Sequence, residues 1–310
     1  MQEGWGELPR GWEYVEVVGV AVDSRDDVYV FTRGKHPVIV FDRDGVFLRS
    51  WGEDIFGGRP HAIHIDVDDY VWCVDDRDHI VYKCTREGRI VMALGTKGEC
   101  APRWSGKPFN LPTHVAVSKH TGRIFVSDGY GNARIHRYAS DGTLEHSWGR
   151  PGVGPGEFAW PHNVVLDDAD NLYVADRENH RMQVFDEEGN VLAIWHDIYR
   201  PCALAIDEDA TVFIGELGAD VGLQAFSPGL TDCPCIGNRV SIYDPSGALI
   251  CRAGEDVGGE GPGQFLALHG LDVDSRGDLY VGEVSWTMRG MHLKPPRYLR
   301  SLQKLARVQG

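Results

Sequence analysis

Three histidines, His61, His162 and His269, occupy one matched position of a phrase that recurs along the 310-residue chain. Three neutral imidazoles brought to one point, with no thiolate among them, suit zinc (Zn2+). They leave a fourth coordination position for water or substrate, the arrangement of a catalytic rather than a structural site. Other divalent transition metals remain chemically suitable. A metal so held lowers the pKa of a bound hydroxyl and polarises a carbonyl. For any one of these histidines a buried ring bonding a neighbouring carbonyl is the plainer explanation. Histidine is only 13 of 310 residues, however, so three at alternate copies of one column argue for a shared ion. Arg33, in VFTRGKH, and Tyr130, in SDGYGNARI, fall near the same level of the repeat. Arg holds a carboxylate through two parallel charge-assisted bonds, and a phenol beside a cation becomes more acidic and can serve as a base. Their other readings are a surface Arg paired with an acidic neighbour and an aromatic packed between repeats.

The phrase that carries these residues is an apolar strand ending at a polar turn, a second apolar strand, and an aromatic-containing third strand closed by a Gly turn. Its copies read VVGVAVDSRDDVYVFTRG from Val17, PHAIHIDVDDYVWCVDDRDH from Pro60, PTHVAVSKHTGRIFVSDGYGN from Pro112, PHNVVLDDADNLYVADRENH from Pro161, PCALAIDEDATVFIGELG from Pro201 and LHGLDVDSRGDLYVGEVS from Leu268. A fourth strand such as VFLRSWG follows in most copies. Period-two alternation with Asp-Gly, Glu-Gly and Ser-Gly turns predicts antiparallel hairpins. Four short strands per unit at a period of about 40 to 50 residues predict an all-β, six-bladed β-propeller of four-stranded antiparallel blades, one domain over residues 1–310. The sixth copy offers only two clear strands and a third in SLQKLARV, so the ring is expected to close with a strand from residues 12–16, WEYVE. An insertion at about 217–238 contains Cys233 and Cys235, and a lone C-x-C reads as loop structure rather than a metal site.

Five positions before the polar end of each inner strand stand Val18, His61, Thr113, His162, Cys202 and His269. Blades lie about 60° apart around the axis, so histidines in alternate blades sit about 120° apart and point at one another. His64 is expected to line or pack the channel, His114 to face the sheet stack, His180 to be solvated in a turn, and Cys202 to be a small apolar filler. Asp75, Asp76, Asp128, Asp176 and Glu283, at the ends of second strands, are expected to cap turns or to pair with Arg177 and Arg134.

The balance of 31 Lys+Arg against 46 Asp+Glu gives a formal charge of −15. Spread along the chain, it disfavours nucleic acid and anionic membrane as partners and leaves a small-molecule substrate. No stretch approaches the roughly 20 apolar residues of a membrane span. The opening MQEGWGELPRGWEYV lacks a basic leader and an apolar core, which with seven cysteines read as free thiols predicts a cytoplasmic protein. Walker, H-E-x-x-H, G-x-S-x-G and EF-hand patterns are missing, which argues against nucleotide-driven and serine-hydrolase chemistry.

The copies PTHVAVSKHTGRIFVSDGYGNARI and PHNVVLDDADNLYVADRENHRMQVF resemble NHL repeats, and in particular the lyase domain of the peptidylglycine α-amidating enzyme. The likeness extends over Val17 to about Val284. It implies zinc held by His61, His162 and His269, with Arg33 and Tyr130 completing the site. It further implies a metal-dependent carbon–nitrogen lyase that converts an N-acyl-α-hydroxyglycine, or a related carbinolamide, to an amide and glyoxylate or another carbonyl product. Three residues depart from the family pattern. Gly270 stands where the family has an Asp of a structural calcium site, which puts Ca2+ in question. Ala267 replaces a Met, and Gly131 replaces a disulfide Cys. The remaining alternatives are a metal-dependent hydrolase of a lactone or ester and a non-catalytic NHL protein-interaction platform.

Overall fold

Each copy of the phrase forms a small antiparallel sheet. The computed structural model describes residues 5–218, 238–255 and 258–308. Its inner strands are Val17–Val22, Pro60–Ile65, His114–Val117, Pro161–Leu166, Pro201–Ile206 and Leu268–Val273. Each touches the next, and the sixth returns to the first, so the sheets form a closed ring of six blades. Five blades are four-stranded, with strands in chain order from the axis outward. Cys233 and Cys235 lie outside the described residues, and the five described cysteines are free.

Sheets stacked blade against blade bury both faces of their inner strands, which is why the second strands Val28–Thr32 and Val71–Asp75 are buried throughout. Fourth strands are half exposed and end on a buried Trp: Trp51, Trp148 and Trp195. Each indole packs against the turn glycine of the next blade, Gly88, Gly189 and Gly247 respectively. Burial of such a side chain contributes roughly 1.5–3 kcal/mol.

Closure differs from the sequence expectation. The sixth blade has three strands among the described residues, Leu268–Val273, Leu279–Glu283 and Leu302–Leu305, so SLQKLARV supplies its last strand. Residues 12–16 add none. The chain there folds back on itself, with Trp12 N–H donating to Pro9 O and Glu16 N–H to Tyr14 O, and Val15 at φ +60°. Its last carbonyl, Glu16 O, accepts from Arg33 N–H of the first blade at 3.1 Å, so the segment lies against that blade. Side-chain contacts join the first and sixth blades instead, including Arg43 to Asp274 at 3.0 Å and Lys304 Nζ to Arg43 O at 3.1 Å.

The acids that end second strands set the height of the channel residues. Asp75, Asp128, Asp176, Glu216 and Glu283 each accept a backbone N–H just ahead of their own blade's inner strand, from Arg59, Asn110, Ala159, Tyr199 and Leu266. Asp75, Asp128, Asp176 and Glu283 thus brace turns as expected, while Asp76 pairs with Arg59, the expected partner Arg177 pairs with Glu178 at 2.8 Å, and Asp176 takes Arg181 at 2.8 Å.

Candidate metal centre

His61, His162 and His269 meet at the axis. Their ring centroids are 4.8–5.0 Å apart, and one ligand nitrogen from each lies within 4.8 Å of the other two. All three are buried. Each Nδ1 sits 2.7 Å from a backbone carbonyl of the next blade: His61 at Thr113, His162 at Cys202 and His269 at Val18. A carbonyl only accepts, so each Nδ1 carries the hydrogen and each Nε2 presents a lone pair to the axis. The three column residues that are not histidine therefore fix the tautomers of the three that are. Burial first, then the neighbouring imidazoles for His61 and the Arg177 charge for His162, holds both rings well below the usual histidine range. His269 is pushed down to about 3, by burial and then by Arg33. Neutral imidazole is the ligating form.

Tyr130 stands over the trio. A short helix, Gly129–Asn132, turns it inward at the end of a second strand. Its hydroxyl lies 2.9 Å from Nε2 of both His61 and His162. One hydroxyl hydrogen serves only one of those lone pairs, and His269 Nε2 has no hydrogen-bond partner among the described residues. Three converging lone pairs with one donor are a donor set that fits a cation. Burial raises the Tyr130 pKa, and the Arg177 guanidinium works against it. Arg177 and Arg59 lie over the ring at 5.5 and 5.7 Å from its centroid, and Arg177 Nη1 is 3.5 Å from the hydroxyl.

Arg33 lines the same mouth, a cavity of about 460 Å³ that reaches His269. It is also paired with an acid: Nη1 donates to Glu16 Oε1 at 2.6 Å, while Nε donates to Pro60 O at 3.1 Å. The acid-paired reading of Arg33 is the one seen here, and the acid holds the Arg at the mouth.

A family model of the NHL repeat matches residues 158–185. NHL repeat-containing protein 3 of Mus musculus is 33% identical over 301 residues, covering 91% of this chain and 80% of that protein. The chain belongs to the NHL-repeat family. The human protein of the same name is 36% identical over 209 residues, 63% of this chain and 59% of its own length. Peptidyl-alpha-hydroxyglycine alpha-amidating lyase 1 of Drosophila melanogaster is 38% identical over 145 residues, 44% of this chain and only 26% of that protein. The fold is also that of virginiamycin B lyase from Staphylococcus aureus, with a TM-score of 0.58 at 14% identity over 96% of this chain and 86% of that one.

Two departures from the amidating-lyase pattern have a steric reason in this NHL-repeat protein. A Cβ on Gly270 would stand 2.6 Å from Gly19 Cα, where the sixth and first blades meet, so an Asp has no room there. The ring of residues at that level is Gly19, Ala62, His114, Asn163, Ala203 and Gly270, which holds no carboxylate. Calcium takes several oxygen ligands, and this level does not fit it. A Cβ on Gly131 would collide with Asn110 Oδ1.

Sequence reasoning missed Arg59, Arg177 and Arg200 at the mouth, and Glu16 behind it. The signal was available in two further columns. The position just before the inner strand carries Glu16, Arg59, Leu111, Trp160, Arg200 and Ala267; the position just after the second strand carries Arg33, Asp76, Gly129, Arg177, Leu217 and Val284. Together they supply most of the mouth. His64 and His114 line the cavity at the opposite end of the channel, away from the trio's Nε2 atoms. Cys202 is buried with Sγ 3.5 Å from His162 Nδ1, and burial keeps its thiol protonated by raising its pKa.

Proposed function

We propose that this NHL-repeat protein is a zinc-dependent lyase. Its substrate is a small N-acyl-α-hydroxyglycine or related carbinolamide, which it cleaves at the C–N bond to an amide and glyoxylate or another carbonyl product. The observation that carries this reading is the convergence of three Nε2 lone pairs, tautomers fixed by three carbonyls, on a point supplied with a single hydroxyl hydrogen. The similarity to a lyase named for peptidyl-α-hydroxyglycine supports the substrate class.

His61, His162 and His269 would hold the ion, which when bound acidifies a hydroxyl and polarises a carbonyl. Arg33 binds the substrate carboxylate: with Nε and Nη1 taken, Nη2 has no protein partner among the described residues. Tyr130 Oη takes the proton of the substrate hydroxyl. As the oxygen becomes a carbonyl and the C–N bond breaks, the same atom returns that proton to the amide nitrogen, so atoms and charge balance. Arg177 and Arg59, over the ring, favour the phenolate that this step requires. Trp160, Leu111, Val284 and Met288 supply the apolar part of the walls. No helix among the described residues is long and apolar enough to cross a membrane. With its free thiols we read the protein as cytoplasmic.

Elemental analysis of protein purified without added metal, followed by incubation with N-benzoyl-α-hydroxyglycine, tests the reading. Equal amounts of benzamide and glyoxylate above the uncatalysed background support it, whereas benzoate indicates hydrolysis. No bound transition metal, together with a His162→Ala variant that behaves as wild type, overturns it. A non-catalytic platform is the second reading, favoured by the near full-length match to NHL repeat-containing protein 3; it requires that metal removal change nothing.

A further inference from the structure

The mouth cavity is lined by five arginines, Arg33, Arg59, Arg103, Arg177 and Arg200, and by no carboxylate among the described residues. This is unusual in a chain of net charge −15. The carboxylates behind the arginines do not balance them. Glu16 answers Arg33, and Asp76 answers Arg59 through both oxygens. Arg177 and Arg200, both buried, share one oxygen of Glu178, at 2.8 and 3.0 Å. Arg103, on the exposed rim, stacks on Trp104 and has no acidic partner among the described residues. Two guanidinium charges are left over. Buried charge is costly unless paired, and here the open side of the pair is the cavity.

The surplus is also placed asymmetrically. Arg33 belongs to the first blade, whereas Arg177 and Arg200 belong to the fourth and fifth, and Arg103 lies on the loop ahead of the third, beside the fourth, tied down where Trp104 N–H donates to Gly131 O at 3.0 Å. First and fourth blades of a six-fold ring face each other across the axis. The cavity thus has the Glu16-anchored Arg33 on one side and the surplus positive charge on the other, with the histidine trio between them.

We propose that the mouth takes a small dianion: an α-hydroxy acid whose first carboxylate meets Arg33 and whose second, at the other end of a short chain, meets the pole of Arg177, Arg200 and Arg103. This deepens the lyase reading, on which its hydroxyl-bearing end rests; the second pole stands on charge and geometry alone. A volume of about 460 Å³ accommodates such a molecule.

The test is calorimetric binding of a matched pair, 2-hydroxyglutarate and 2-hydroxypentanoate, which share a five-carbon chain and differ only in the terminal carboxylate. Zinc-loaded and metal-stripped protein are both titrated. The dianion is expected to bind about tenfold or more tightly in both forms. Arg200→Met should bring the ratio below about threefold while leaving 2-hydroxypentanoate unchanged. Arg103→Ala, an exposed change that leaves the fold alone, should lower it by a smaller factor, and raising salt should narrow it as well. Equal affinities, or a preference that neither substitution moves, overturn the inference. If the preference fails while metal and lyase activity are present, only the dianion falls; if the preference persists in a protein that binds no metal, only the lyase reading falls.

Discussion

Replacing Glu16 by Gln tests whether a single buried carboxylate holds the arginine-lined mouth together. Glu16 Oε1 accepts Arg33 Nη1 at 2.6 Å and Thr287 Oγ1 at 2.7 Å, while Oε2 accepts the Thr287 N–H at 2.7 Å. The residue is 1% exposed. Gln has the same shape but one acceptor and one amide donor. With its oxygen toward Arg33, its NH2 faces the Thr287 N–H; turned over, its NH2 faces Arg33. Either orientation sets donor against donor and removes the charge that compensates Arg33. An orphaned buried donor costs about 1–3 kcal/mol, and losing a charge-assisted bond adds to it. Arg33 keeps some contact with water, so the total should be about 2–4 kcal/mol. At roughly 2–4 °C per kcal/mol for large domains, Tm falls by roughly 4–16 °C. Urea unfolding, with m unchanged, gives the energy directly. In activity, KM should rise about tenfold with kcat little altered, because the proposed reaction has Arg33 bind substrate rather than move its proton. A loss of less than about 0.5 kcal/mol with KM unchanged would refute the assignment of Glu16 as the anchor, since surface-like substitutions fall in that range.

Three further outcomes follow from individual contacts. Tyr130→Phe removes the atom proposed to carry the proton and should lower kcat by about 10²–10⁴-fold while zinc content by elemental analysis stays at the wild-type level; a kcat within twofold of wild type removes Tyr130 from the mechanism. Gly270→Ala forces a methyl against Gly19 at 2.6 Å and should destabilise by about 1–3 kcal/mol in urea; a neutral result would show that the first and sixth blades are not closely packed there. Burial pushes the Asp272 carboxyl up to about 7, well above its value of about 3.9 in an unfolded chain. Between those values the native state holds the extra proton, so stability declines as pH rises from about 4 to 7. Asp272→Asn keeps an acceptor for the Val22 N–H, which is 2.7 Å from the carboxylate, and should gain on wild type in urea unfolding between pH 5 and pH 8. An unchanged difference at the two pH values counts against a protonated Asp272.

The sequence located the histidine trio because a propeller repeats. Once PHAIHIDVD, PHNVVLDD and LHGLDVDS are laid over one another, matched column means matched depth, and alternate copies mean trigonal placement. Strand positions were legible for the same reason: period-two apolarity and Gly turns recur in every copy, and local propensity agrees with the ring. The closing segment was harder to read. WEYVE has strand composition, yet Trp12 N–H to Pro9 O and Glu16 N–H to Tyr14 O are bonds between near neighbours, and nothing in composition chooses them over a ladder.

Residue types and spacing thus determined the blade count, the three candidate ligands and the presence of Arg33 and Tyr130 near them. Three-dimensional packing alone decided the rest. The carbonyls of Val18, Thr113 and Cys202 that orient the imidazoles belong to backbone, which side-chain identity does not record. The sharing of Glu178 by Arg177 and Arg200 joins neighbouring blades, and the facing of Arg33 by that pair spans the ring. Such relations arise only when the ring closes, because charge balance and hydrogen-bond direction depend on distances between residues far apart in the chain.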